Sequence, residues 1–232
     1  MSARFEELDW QPTTMGDLTL RRRLEPQLGI EVYEVKLGEE YLMSSLFTVA
    51  EEELSRLGLA AVTGDDLDVL VGGLGLGYTA VAALADPRVR TMTVVDALPA
   101  VIDWHERGLL PVSHLITGDT RSTLAHGDFF AWMRAEPTAA GPRWDAILVD
   151  IDHTPGHTLD PSHADLYTEA GLRALTGHLA PGGVFALWSD DPPDETFLAV
   201  LRSVFAVATG ALITFDNALT GGTSSNSVYV AH

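Results

Sequence analysis

The sequence contains no cysteine. Disulfides, thiol nucleophiles and cysteine-ligated zinc are therefore excluded. Basic residues are scarce: 14 Lys and Arg stand against 33 Asp and Glu, a formal net charge of −19. Such a surface repels phosphate backbones, which argues against a nucleic-acid partner, and it attracts small cations such as amines. The same acidity also serves solubility. No apolar run reaches the roughly 18 residues that a membrane span requires. The opening MSARFEELDW lacks a basic segment followed by an apolar one, so it does not read as a signal peptide. The expectation is a cytoplasmic protein with no membrane contact.

What is present organises around Asp66 to Ala80, DLDVLVGGLGLGYTA. Leu67 to Val71 is a short apolar, partly β-branched run, as expected of a buried strand. Gly72, Gly73, Gly75 and Gly77 follow, and then a helix-forming run from Tyr78 to Ala85. Strand, glycine turn and helix form the nucleoside-binding unit of an α/β sheet. The glycines let backbone approach a ligand, and the helix start offers free N–H groups. The spacing is neither G-x-G-x-x-G nor a Walker loop, which needs Lys-Ser/Thr after its last glycine. Gly73-x-Gly75-x-Gly77 instead resembles the S-adenosylmethionine (SAM) loop of class I methyltransferase-fold enzymes. A tight turn that needs glycine for its own geometry is the alternative.

At 232 residues and 46% hydrophobic content, the chain is sized for one large domain with a small appendage. Residues 1–16 read as an irregular tail. Alternation over Leu18–Leu24 and Ile30–Leu37, with a turn at Gly38-Glu39, predicts a small antiparallel β-unit over 17–45. Arg21, Arg22 and Arg23 form an exposed strand face or a grip for a carboxylate. Thr48-x-x-Glu51 has the form of a capping box, opening a helix to about Leu59. The predicted domains are 1–47 and 48–232.

Val89–Val95 is the second strand of the main sheet, ending at Asp96, where a carboxylate can accept from ribose hydroxyls. Leu115–Gly118 reads as a third strand. Asp119 after it can accept from an adenine amino group, and the Thr120 N–H can donate to a ring nitrogen; a helix cap is the alternative. Ala146–Val149 is the fourth strand and ends at Asp150. The segment Asp150-Ile151-Asp152-His153-Thr154-Pro155-Gly156-His157 sits where ligands bind such sheets. A helix is expected over 165–179, a fifth strand over Val184–Trp188 and a helix over Thr196–Val204. A terminal antiparallel pair follows, Val207–Phe215 and Ser227–Ala231, joined by a loop over Gly221–Asn226. Packing is the default reading of Trp104, Trp132 and Trp188, and lining of the acceptor pocket is the alternative for each.

Across about residues 48–232 this order resembles the class I methyltransferase fold. In particular it resembles the spermidine synthase (polyamine aminopropyltransferase) family, through VLVGGLGLG, VVDALPAVIDW, Gly118-Asp119, WDAILVDIDHTPGH and ADLYTEAGLRALTGHLAPGGVFALW. The resemblance implies a seven-stranded sheet of order 3-2-1-4-5-7-6 with strand seven antiparallel, preceded by a small β-unit. It also implies assembly as a homodimer. It breaks at the chemistry. The family's GGGDGG loop carries an acid that binds the amine of decarboxylated SAM, and here Gly75 takes its place. Without that acid, the carboxylate of ordinary SAM is not repelled. The family's DSSDP segment is Asp150-Ile151-Asp152-His153-Thr154 here. Asp150 matches the amine-deprotonating base, His153 replaces the second acid, and Tyr167 matches a tyrosine after strand four. The family's Tyr-Gln pair is not evident.

The first expectation is methyl transfer from SAM to a small amine, with Gly73, Gly75, Gly77, Asp96, Asp119, Thr120 and Asp150 binding the donor. Asp150, Asp152, His153 and Tyr167 are the catalytic candidates, and His153 is of the type that titrates near neutrality. The alternatives are aminopropyl transfer from decarboxylated SAM, attack on the aminocarboxypropyl carbon including cyclisation, and Mg²⁺-assisted O-methylation through Asp150, Asp190 and Asp191. Zinc at His153, His157 and His163 has poor ligand spacing. A non-catalytic SAM-binding protein is the remaining reading.

Overall fold

The computed structural model describes residues 5–13, 16–139 and 141–232. Residues 1–4, 14 and 15 of the expected tail lie outside it; the described part is not irregular. Phe5–Thr13 is a strand, β1, paired antiparallel with β2 (Gly16–Glu25). With β3 (Ile30–Leu37) and β4 (Glu40–Ser44) they form a four-stranded antiparallel sheet in chain order. The three arginines are used within it. Arg21 and Arg23 point to one face and share Glu34 at 2.7 and 2.8 Å, while Arg22 points to the other and meets Glu6 at 2.5 Å. This is the two-residue alternation of a strand.

The second sheet runs β10-β11-β9-β8-β5-β6-β7. Its strands are β5 (Leu67–Gly72), β6 (Val89–Asp96), β7 (Ser122–His126), β8 (Trp144–Val149), β9 (Leu179–Ser189), β10 (Ala208–Asn217) and β11 (Gly222–Ala231). In order of appearance this is 3-2-1-4-5-7-6, and the last strand pairs antiparallel with β9. Both features match the sequence expectation. The central strands bury alternate residues in different layers. Val69, Val71, Ala146 and Leu148 face one core, and Leu70, Ile147 and Val149 face the other. Each such Val, Leu or Ile side chain contributes about 1.5–3 kcal/mol of burial.

The first layer holds α1 (Val49–Ala60), α2 (Tyr78–Leu84), α3 (Pro99–Glu106) and α4 (Ser113–Thr117), together with Leu18, Leu20 and Val35 of the first sheet. The second holds α5 (Phe129–Arg134), α6 (Glu169–Thr176) and α7 (Glu195–Val204). Among the described residues, no helix is long and apolar enough to cross a membrane.

Four local expectations are corrected. The segment around Leu115 is α4, which buries Ile116 completely, and the third strand is Ser122–His126. That strand lies at the sheet edge, so its residues are only partly buried and its sequence carries little apolar signal. The helix expected from Asp165 begins at Glu169, because Thr168 caps it by accepting from the Gly171 N–H. The loop expected over Gly221–Asn226 belongs mostly to β11. Thr48 precedes α1 but its side chain caps nothing; it donates to Glu52 Oε1 at 3.1 Å, so no capping box forms.

Candidate active site

A cleft of about 900 Å³ opens at the carboxyl ends of the parallel strands, between the two sheets. Gly73, Gly75 and Gly77 form its floor. Gly73 has φ +91°, and a Cβ there would stand 2.1 Å from the Asp150 carbonyl oxygen, so only glycine lets the ends of β5 and β8 meet. Gly77, φ +94°, precedes α2, and a Cβ would meet Ile116 and His105 at 2.6 and 2.7 Å. His105, in α3, fixes the loop from behind. Its Nε2 donates to the Gly75 carbonyl at 3.0 Å, and burial pushes the imidazole toward its neutral form.

Asp96 also holds this loop. Its two oxygens accept from the Leu74 N–H at 2.9 Å and the Leu98 N–H at 2.8 Å, with the Gly75 amide adding a third contact. Burial raises its pKa against the pull of these donors. An ionised carboxylate has about four acceptor positions, so room remains for a hydroxyl.

Asp119 and Thr120 stand at the entry of β7, not its exit, and neither lines the cleft. The Asp119 carboxylate pairs with Arg121 at 2.7 Å, and that bond holds its pKa low. The acid at the exit of the third strand is Asp128. It caps α5 by accepting from the Ala131 N–H at 3.1 Å, and it lines the cleft with Phe129 and Phe130.

Asp150 lies at the end of β8 in the cleft. The Thr79 hydroxyl donates to its Oδ2 at 2.6 Å and lies 3.3 Å from the Glu51 backbone carbonyl. Burial raises Asp150 to about 6. Glu51 from α1 lines the same cavity, and burial, then the Asp150 charge, pushes it up to about 8. Both carboxyls are thus raised, and near neutral pH the pair holds about one proton between them. Glu51 is the residue that sequence reasoning missed, because it was assigned to a cap that does not form.

Asp152 is 2% exposed and accepts from the Leu159 N–H, His163 Nδ1 and the Tyr167 hydroxyl at 2.8, 2.8 and 2.7 Å. Tyr167 is buried beneath the loop and does not line the cleft; its hydroxyl supports Asp152. Burial and the Asp152 charge push its hydroxyl well above the usual range. His153 lines the cleft, 3.2 Å from Glu40 of the first sheet, with its ring beside His157. Asp190 lines the cleft and accepts from Asn226 at 2.8 Å, whereas Asp191 does not line it. Trp104 is fully buried and donates to Asp9 at 2.6 Å. Trp188 lines the cleft, and its buried indole N–H has no partner among the described residues. No lysine or arginine lines the cleft among the described residues. Nor do these residues contain a group of three or more His, Asp or Glu arranged to hold a metal ion.

No family profile matches the chain. Polyamine aminopropyltransferase 2 of Streptomyces coelicolor is 32% identical over 129 residues, 55% of this chain and 22% of that protein. Putrescine N-methyltransferase 2 of Nicotiana tabacum is 27% identical over 159 residues, 66% of this chain and 42% of that protein. The chain thus spans less than half the length of these curated relatives. The structure of spermidine synthase from Thermotoga maritima superposes with a TM-score of 0.72 at 17% identity, covering 97% of this chain and 71% of that one. Human methyltransferase-like protein 13, solved with SAH, gives 0.58 at 20% identity over 79% and 82% of the two chains. The homologues are polyamine transferases of both kinds, and the fold is that of the class I methyltransferases.

Proposed function

We propose that the cleft binds an S-adenosyl sulfonium donor and transfers its methyl group to a small amine. The observation that carries this reading is the charge of the cleft. Glu51, Asp96, Asp128, Asp150 and Asp190 are among the residues that line it and no lysine or arginine is, among the described residues. Both the sulfonium and a protonated amine are cations, and an acidic, partly dry cavity concentrates them. Asp96 takes the ribose and Asp128, in place of Asp119, takes the adenine amine.

Asp150 is the base. The acceptor ammonium gives it one proton, and the freed lone pair attacks the methyl carbon in line with the departing thioether. Neutral Glu51 keeps a second negative charge away from Asp150 and helps to orient the amine. His153 stands at the rim and assists from there, while Asp152 and Tyr167 hold the loop that carries both.

Methyl transfer is preferred because of Gly75. Its φ is +47°, a conformation that favours glycine, and with glycine there no acid stands at this position to reject the carboxylate of SAM. The second reading is aminopropyl transfer from decarboxylated SAM. It is supported by the lack of a cleft cation to pair with that carboxylate. Mass spectrometry of a putrescine reaction supplied with either donor separates the two. N-methylated product from SAM supports the first reading. Aminopropylated product from decarboxylated SAM alone overturns it. Dimerisation through the first sheet belongs to the same proposal, supported by the exposed Phe5, Trp10, Ile30 and Tyr41.

A further inference from the structure

The loop between β8 and α6 carries a buried network that the transfer step does not use. The Asp152 carboxylate receives three donors, one of them His163 Nδ1 at 2.8 Å. Asp152 also accepts from the Leu159 N–H and the Tyr167 hydroxyl, so the hydrogen shared with the ring is assigned to Nδ1. In that tautomer Nε2 is the acceptor nitrogen, and no described residue donates to it.

The ring is held in place. It stacks on Phe130 with centroids 3.7 Å apart and planes 11° from parallel. Arg134, at the end of the same short helix, donates to the Ser162 carbonyl at 3.1 Å and pairs with Asp165 at 3.2 Å. His163 is thus clamped against α5, whose cap is Asp128, and both residues line the cleft. One Asp128 oxygen serves the cap; the other lies 3.6 Å from Arg134 and keeps free acceptor positions.

We propose that His163, its tautomer fixed by Asp152, reads the nucleobase: Nε2 and the Asp128 carboxylate accept the two hydrogens of one exocyclic amine. This rests on the nucleoside reading of the cleft. A 6-aminopurine supplies that amine. A 6-oxopurine would set an oxygen against two acceptors and leave them unpaired, which is a strong basis for rejection. His163 is therefore a specificity residue, and its role is independent of which group is transferred.

The test is calorimetric binding of 5′-methylthioadenosine and its 6-oxo counterpart to wild type, His163→Phe and His163→Gln. Phe keeps a ring to stack but offers no acceptor; Gln restores an acceptor oxygen. Thermal melts confirm folding of each variant. The wild type should prefer the 6-amino form by about 100-fold, Phe should cut that preference about tenfold, and Gln should stay within about threefold of wild type. An unchanged preference in the folded Phe variant, or equal weakening of both nucleosides, overturns the inference. Equal binding of both to wild type overturns it alone, while binding of neither overturns the nucleoside site beneath it.

Discussion

Replacing Glu51 by glutamine should stabilise the protein at neutral pH while slowing transfer. Burial, then Asp150, raises Glu51 from 4.5 to about 8, so the folded chain binds this proton more tightly than the unfolded chain. The resulting stability is fully present below pH 4.5 and is lost as pH rises through about 8. Each pH unit in that window costs about 1.36 kcal/mol, so the loss at pH 7 is about 3 kcal/mol. Glutamine keeps the shape and has no proton to lose. The variant should therefore gain about 3 kcal/mol at pH 7 and almost nothing at pH 4.5. For a chain of this size that is a melting temperature higher by about 6–12 °C. Burial, not a Glu51 charge, raises Asp150, so the acid limb of the rate profile should stay in place in this variant. The assay is a series of thermal melts on wild type and variant from about pH 4.5 to about pH 8.5. A stability difference that stays flat across that range, or a loss of stability at pH 7, would refute the reasoning.

Three further outcomes follow from named contacts. Asp128→Asn should weaken binding of an adenine nucleoside about tenfold, whereas Asp119→Asn should leave it unchanged, both read by calorimetry. Gly75→Asp should weaken SAM binding more than tenfold and decarboxylated SAM far less, because only SAM carries a carboxylate for the new acid to repel. Tyr167→Phe removes one donor from the buried Asp152, so it should cost about 2 kcal/mol of stability by chemical denaturation. It should leave the pH dependence of transfer in place; a lost limb would return Tyr167 to the reacting atoms.

The strand order was legible because each central strand ends in a marker that survives in one dimension. Gly73, Asp96 and Asp150 terminate β5, β6 and β8, and the apolar runs before them are buried on both faces. The third strand was not legible for the same reason in reverse. At the sheet edge Ser122–His126 needs few apolar residues, and the buried Ile116 of α4 drew the assignment to itself. One misplaced strand moved the adenine acid from Asp128 to Asp119. Glu51 was hidden by a local motif: Thr48 and Glu51 have the spacing of a cap, and only the packing of α1 against α2, through Ser55 Oγ on the Thr79 carbonyl at 2.7 Å, turns Glu51 toward Asp150. His163 reads from sequence only as a zinc ligand, because its partnership with Asp152, eleven positions earlier, depends on how the loop folds back.

The central claim is that this cleft holds an S-adenosyl sulfonium beside an ionised Asp150. Its most direct test is calorimetric titration of SAM and decarboxylated SAM into the wild type. Saturable binding of SAM, tighter than the decarboxylated form, is the predicted result. Tighter binding of the decarboxylated donor would restore the aminopropyl reading despite Gly75, and binding of neither would contradict the account at its root.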